Sequence, residues 1–333
     1  MPNGGSGEKD GRPKPMRRSL SQYLTVTGTY WGFTLSDGAL RILVLFHFFK
    51  LGYSPFTLAL LFLMYEVAGI IANLGGGWLA TRFGIPRMLL LGIAMQILGL
   101  MFLSCLDPTL GPFLSVIWVA VAQGISGLAK DITKTASKSA IKVVKIDEGA
   151  GLFRWVAWFT GSKNAMKGVG FFLGGVMLTT IGFRGGLWLM AGLLSLLAVL
   201  VVLTLPSKLG VGVSSRTIKE LFSKSSAVNT IALARIFLFG ARDTWFVVAL
   251  PVFLYGNGWS FWEVGGFLAL WTMLYGLVQG MAPTIMRITV TTPVSWSSRV
   301  GWAVALALAL IGILICMIMK MDVPLLITGL LVF

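Results

Sequence analysis

Apolar residues in this chain fall in blocks of about 20, the length an α-helix needs to cross the hydrocarbon of a bilayer. The blocks occupy 23–49, 56–80, 86–106, 113–135, 152–180, 184–205, 228–255, 260–281 and 299–319. Backbone donors and acceptors in lipid must be satisfied within the span, so each block is predicted to be a helix. A last apolar run begins near Pro324 and stops at Phe333. Half a helix cannot cross, so the pattern reads as nine complete spans and part of a tenth, in a fragment of a longer protein.

The polar stretches organise these helices. Residues 1–22 are rich in Gly, Pro, Lys and Arg, without the short apolar run and small-residue site of a signal peptide, and are expected to form a disordered basic tail. The stretch 206–227 is the long internal polar segment, and it separates a six-helix half (23–205) from an incomplete second half (228–333). A gap-free shift of 206 places Gly52-Tyr53-Ser54 on Gly258-Trp259-Ser260 and Asp37 on Asp243. The same shift superposes the first helix on the seventh, as a repeat of two related halves requires.

Composition agrees with this class and narrows it. Of 333 residues, 56% are hydrophobic and 12% charged, and the mean hydropathy is +0.85. A soluble domain carries roughly a quarter charged residues. The formal charge is +15, from 27 Lys plus Arg against 12 Asp plus Glu. In a soluble protein that surplus would suggest nucleic acid; here it belongs to loop topology, and no nucleic-acid partner is expected. Arg82 and Arg87, the run from Lys130 to Lys145, Lys208, Arg216, Lys219, Lys224, Arg287 and Arg299 fall on one alternating set of loops. The opposite set holds Lys50, Arg184 and Lys320. The positive-inside rule therefore places the amino terminus in the cytoplasm, in a plasma or inner membrane.

Chemistry is carried by charges at mid-span, where an ionised side chain costs about 2.5–3.5 kcal/mol unless it faces a cavity or a partner. Asp37 and Arg41 lie four apart in the first helix, with Tyr30 and Thr34 on the same stripe. Glu66 is mid-span in the second helix. Lys163 and Lys167 lie four apart in the fifth, flanking Asn164. Arg242 and Asp243 adjoin in the seventh, with Arg235 two turns earlier. A surplus of buried cation suits an oxyanion, to which Arg offers a planar fork and Lys a point charge. The candidate solute-binding residues are Arg41, Lys163, Lys167, Arg242, Arg235, Asn164, Lys134 and Tyr30. Asp37, Glu66 and Asp243 are candidates for proton coupling or ion pairing. Internal pairing of Asp37 with Arg41 and of Arg242 with Asp243 stays open. So does a lysine partner for Glu66 and snorkelling of Arg235. Lys130 and Lys134 share a face with Gln123 and Gly127, either a vestibule or a basic cap. Gly168, Gly170, Gly174 and Gly175 suit close helix packing. His47 is the single histidine and the two cysteines form no framework, so no metal, cofactor or catalytic residue is expected. A membrane enzyme is the least favoured class, and a non-transporting scaffold would leave the midplane charges without use.

Gly77-Trp78-Leu79-Ala80-Thr81-Arg82-Phe83-Gly84-Ile85-Pro86-Arg87 resembles the major facilitator loop signature, with Thr81 where that family has aspartate. Gly77, Arg82, Gly84 and Arg87 are thereby implied in a gating loop, and the fold implied is the major facilitator fold. Tyr30 to Arg41, Gly52 to Phe56, Gly161 to Asn164, Lys167 to Gly175 and Phe239 to Asp243 resemble the ArsJ-type organoarsenical efflux permeases. That resemblance implies export of 1-arseno-3-phosphoglycerate for arsenate resistance, in partnership with a glyceraldehyde-3-phosphate dehydrogenase. The residues by themselves lead to an anion transporter, and a sugar-phosphate or other organic-anion carrier would use the same cations.

Overall fold

A computed structural model describes residues 15–143, 150–211 and 244–285, with isolated positions in 225–233 and 301–319. The described elements are helical: α1 (Pro15–Lys50), α2 (Pro55–Phe83), α3 (Ile85–Ser104), α4 (Pro112–Val143), α5 (Ala150–Thr180) and α6 (Gly182–Thr204). A π-helical turn (Thr244–Ala249) then leads into α7 (Leu250–Gly256), followed by α8 (Phe261–Ile285). Six of these helices are long and apolar enough to cross a membrane. α1 begins at Pro15, so residues 15–22, expected as tail, extend the first helix.

The corners repeat with the 206-residue offset. Two residues past the end of α1 stands Gly52, with φ 88°, and two past the end of α7 stands Gly258, with φ 89°. Both are left-handed positions that glycine adopts without a Cβ penalty. At each corner the next amide reaches back five residues, Tyr53 to the Phe48 carbonyl and Trp259 to the Leu254 carbonyl, both at 3.2 Å. These bonds close Schellman-type caps. A serine then opens the following helix. The Ser54 hydroxyl accepts the Thr57 amide at 3.1 Å. Ser260 and Glu263 exchange bonds as a capping box, the Ser260 amide donating to the carboxylate at 2.8 Å.

The α2–α3 connection differs from the loop implied by the signature. α2 runs through Phe83 and α3 starts at Ile85, so Gly84 alone makes the turn, at φ 81°. Gly77 and Arg82 are therefore helical, and Arg87 lies in the first turn of α3. Nothing in Thr81-Arg82-Phe83 breaks a helix, and the helix supplies its own backbone bonds up to the corner. The Ile85 amide donates to the Leu209 carbonyl at 2.9 Å, which ties this corner to the segment after α6.

Glycine seams set the packing. A Cβ on Gly174 would lie 2.5 Å from the Ala39 carbonyl oxygen, and one on Gly38 would lie 2.6 Å from that of Lys167, so α1 and α5 meet backbone to backbone. The opposite side of α5 meets α8 in the same way. There a Cβ on Gly168 would come within 2.7 Å of the Ala269 oxygen, and one on Gly175 within 2.7 Å of the Phe261 oxygen. Gly276 approaches the Gly161 carbonyl at the other end of the seam. Positions 161, 168 and 175 recur every seven residues, the spacing that keeps one face of a helix on a neighbour along its length. α1 is the most enclosed span, with Ala39, Leu40 and Ile42 to Phe46 at 0–1% exposure. Trp188, Leu189, Leu193, Leu196 and Leu203 on α6 stay exposed, an apolar surface suited to lipid.

Candidate functional site

Six charged residues of α1, α2 and α4 form one connected cluster with Tyr65. Arg41 of α1, 2% exposed, places its Nη2 2.7 Å from Oε1 of Glu66 on α2. Lys130 of α4 donates to both Glu66 oxygens, each at 3.2 Å. Lys130 also lies 3.6 Å from Asp131, whose other oxygen is 2.5 Å from Lys134. Tyr65 is central to the arrangement. Its ring has the Arg41 guanidinium carbon and the Lys130 ammonium each 4.1 Å from its centroid. Its hydroxyl donates to Asp37. The aromatic ring stabilises both cations, the buried Arg41 and the partly exposed Lys130. α2 and α4 come this close because Gly127 packs on the Tyr65 backbone and Gly69 lies against Asp131.

The cluster balances itself: Asp37, Glu66 and Asp131 are three formal negative charges, and Arg41, Lys130 and Lys134 three positive. Of the two roles open for Glu66, partnership with cations is what the geometry displays. Lys134, expected among the solute-binding residues, has its ammonium on Asp131 instead. Lys130 is a full member of the network rather than a vestibule or cap residue, and Asp131 and Tyr65 join it without having been expected from sequence. The Asp131–Lys134 pair is readable as an i,i+3 spacing. Tyr65 leaves no signal, because an aromatic residue in an apolar span looks like packing.

The fifth helix carries a second arrangement. Phe159, Lys163, Lys167 and Phe171 follow one another at intervals of four and so share a face. Phe159 stacks on Tyr30 of α1 with centroids 5.3 Å apart and planes at 12°. The Lys167 ammonium lies over the Phe171 ring, 5.4 Å from its centroid. Phe171 in turn meets Phe246 of the π-helical turn, at 6.1 Å. Lys163 and Lys167 are half-buried. Asn164, expected beside them, has its amide donating to Oε1 of Gln279 on α8 at 2.5 Å, which places it in the α5–α8 seam. Trp31 of α1 donates to the Ser162 hydroxyl at 3.1 Å. Arg235, Arg242 and Asp243 lie outside the described residues. Among the described residues no group of His, Cys, Asp and Glu is placed to hold a metal ion.

No protein-family model matches the chain, and no curated protein matches it. Solved structures do. The crystal structure of a D-xylose–proton symporter matches with a TM-score of 0.59 at 14% identity, covering 94% of this chain and 78% of the symporter. A bacterial homologue of the human drug peptide transporters PepT1 and PepT2 matches with a TM-score of 0.58 at 13% identity, over 81% and 71% of the two chains. A POT family transporter in complex with 5-aminolevulinic acid matches with a TM-score of 0.51 at 17% identity, over 86% and 73%. Each is a transporter, and at these identities the likeness is one of fold. With six apolar spans among its described residues and these neighbours, the chain is a multi-pass membrane protein that shares the fold of these transporters.

Proposed function

We propose that the chain is a membrane transporter that exports an organic oxyanion, bound at Lys163 and Lys167 of α5. One observation carries the reading. Lys163 and Lys167 stand four residues apart on one side of α5, both half-buried near the middle of the helix. Two neighbouring cations at that depth repel each other unless an anion joins them. Tyr30, Arg235 and Arg242 complete the solute's surroundings in this reading, while Arg41, expected among them, is held on Glu66 and the Tyr65 ring. Asp37, Glu66 and Asp243 serve coupling or ion pairing, and the corner of Gly77, Arg82, Gly84 and Arg87 serves gating. The amino terminus and 206–227 lie on the cytoplasmic side.

The solute we favour is 1-arseno-3-phosphoglycerate, made by a glyceraldehyde-3-phosphate dehydrogenase and exported for arsenate resistance. The support is the resemblance in the segments Tyr30 to Arg41 and Gly161 to Gly175, together with a doubly anionic solute that matches two cations. The test is arsenate tolerance in cells co-expressing the dehydrogenase. Lys163→Ala removes a charge-assisted hydrogen bond worth about 1.5–3 kcal/mol, so binding weakens about ten- to more than a hundredfold and tolerance is lost. Protection equal to the parent's, at equal surface amount, refutes the anion site. A sugar-phosphate or other organic-anion carrier is the second reading, because the same lysines would take any short phosphorylated solute. Uptake of phosphorylated metabolites into inverted vesicles without arsenate separates the two.

A further inference from the structure

α5 and α8 lie on either side of the polar stretch 206–227, and the glycine seam between them has two unlike ends. At one end a Cβ on Gly276 would lie 2.5 Å from the Gly161 carbonyl oxygen and 3.3 Å from the Asn164 Cβ. Here the Asn164 amide donates to Oε1 of Gln279 at 2.5 Å. In the middle, Gly168 faces Ala269 and Thr272. Thr272 is 5% exposed, and its hydroxyl donates within its own helix, to the Leu268 carbonyl at 2.6 Å. At the other end, about 21 Å along α5 from Gly161, Gly175 meets the Phe261 carbonyl. The Phe261 ring stacks on Phe46 of α1 and on Tyr255 of α7, each at 4.6 Å. Phe49 of α1 meets Tyr255 edge-on at 5.6 Å.

The two ends respond oppositely to water. An amide pair that parts where water enters exchanges one hydrogen bond for others, at small net cost. Parted without water, it leaves both amides unsatisfied. Stacked rings only lose apolar contact when water reaches them. Resting on the transport reading, in which the helices on the two sides of 206–227 part and close, we propose that the α5–α8 seam opens from the Asn164–Gln279 end. It pivots on the Phe46, Tyr255 and Phe261 rings, and the amide pair is a latch that water releases. Such a latch differs in sign from a plain fastener. Removing one amide leaves its partner poorly satisfied in the closed seam and favours opening. Replacing both by apolar side chains of similar shape removes the groups that water would take up, and favours the closed seam.

The probe is the rate at which a hydrophilic maleimide labels Thr272→Cys in protein reconstituted into lipid nanodiscs, with Cys105→Ser and Cys316→Ser and no solute present. Thr272 lies about 10 Å along α8 from Gln279 and is reached only when the seam parts. Gln279→Met is expected to raise the rate about threefold, the usual size of an interhelical hydrogen bond in a membrane. Asn164→Leu combined with Gln279→Met is expected to bring the rate about threefold below the parent's. Val264→Cys, at a buried position three residues from Phe261, should label slowly in every background. A double variant that labels as fast as the parent or faster overturns the proposal, whether or not Gln279→Met alone folds. So does labelling of Val264→Cys that rises together with that of Thr272→Cys, because the ring end then opens too. The assay contains neither solute nor arsenate, so its failure removes the latch and leaves the anion reading to its own test by arsenate tolerance.

Discussion

Neutralising Glu66 tests whether the α1/α2/α4 cluster is held together by charge balance. In Glu66→Gln the side chain keeps its shape but the cluster moves from zero to one uncompensated positive charge. Arg41 is 2% exposed and loses the charge of the carboxylate 2.7 Å from its Nη2, although Glu66 itself is 32% exposed. Breaking a buried pair by removing one partner costs about 3–5 kcal/mol. Lys130 is 19% exposed and Glu66 32%, so their pairing contributes at the level of a surface pair, about 1 kcal/mol or less. Because Arg41 has other neighbours, the lower end of the buried range applies. The expected loss is about 3 kcal/mol, roughly two factors of ten in the folding equilibrium. The assay is a double-mutant cycle read by denaturant unfolding in micelles, with Glu66→Gln, Lys130→Gln and the pair. Lys130→Gln alone leaves one excess negative charge, whereas the pair restores neutrality. The double variant should therefore be more stable than the sum of the single losses by at least about 1 kcal/mol, within the usual range for residues sharing a network. Additive losses would refute the charge-balance argument and leave shape as the reason for the cluster.

Two further outcomes follow from packing and topology. Gly174→Val puts a branched side chain where a Cβ already lies 2.5 Å from the Ala39 carbonyl oxygen, and should destabilise by about 1–3 kcal/mol or abolish insertion. Gly192→Ala, with open space at its Cβ, should change little; equal thermal stability of the two variants would remove the seam as a constraint. If 206–227 lies inside, as we propose from the basic loops, Ser215→Cys should resist labelling by an impermeant maleimide added to intact cells; efficient labelling from outside reverses the orientation.

What the sequence determined by itself was the class of the protein, the helices and their breaks. A bilayer leaves a 20-residue apolar segment few alternatives to a helix, so α1 to α6 and α8 lie where the apolar blocks predicted them. The repeat was legible too, because a left-handed glycine followed by a capping serine is a local device that needs no tertiary partner. The position of Asp37, Arg41, Glu66, Lys163 and Lys167 near the middle of their helices could be read by counting residues.

Tertiary structure decided who meets whom. Periodicity gives the faces of a helix but not the neighbour that each face receives. The glycines of α5 read as one packing stripe, yet Gly170 and Gly174 serve α1 while Gly161, Gly168 and Gly175 serve α8. Arg41 lies one turn from Asp37 in sequence; the close approach of α2 and α4 across Gly127 brought Tyr65 and Glu66 to it as well, and Asp37 received the Tyr65 hydroxyl. Asn164, adjacent to Lys163 in sequence, turned about 100° around the helix onto the α8 side. The physical reason is common to all three. Backbone contact through glycine sets helix rotation and depth to within an ångström or two, and at that scale rotation decides whether a buried charge finds its partner.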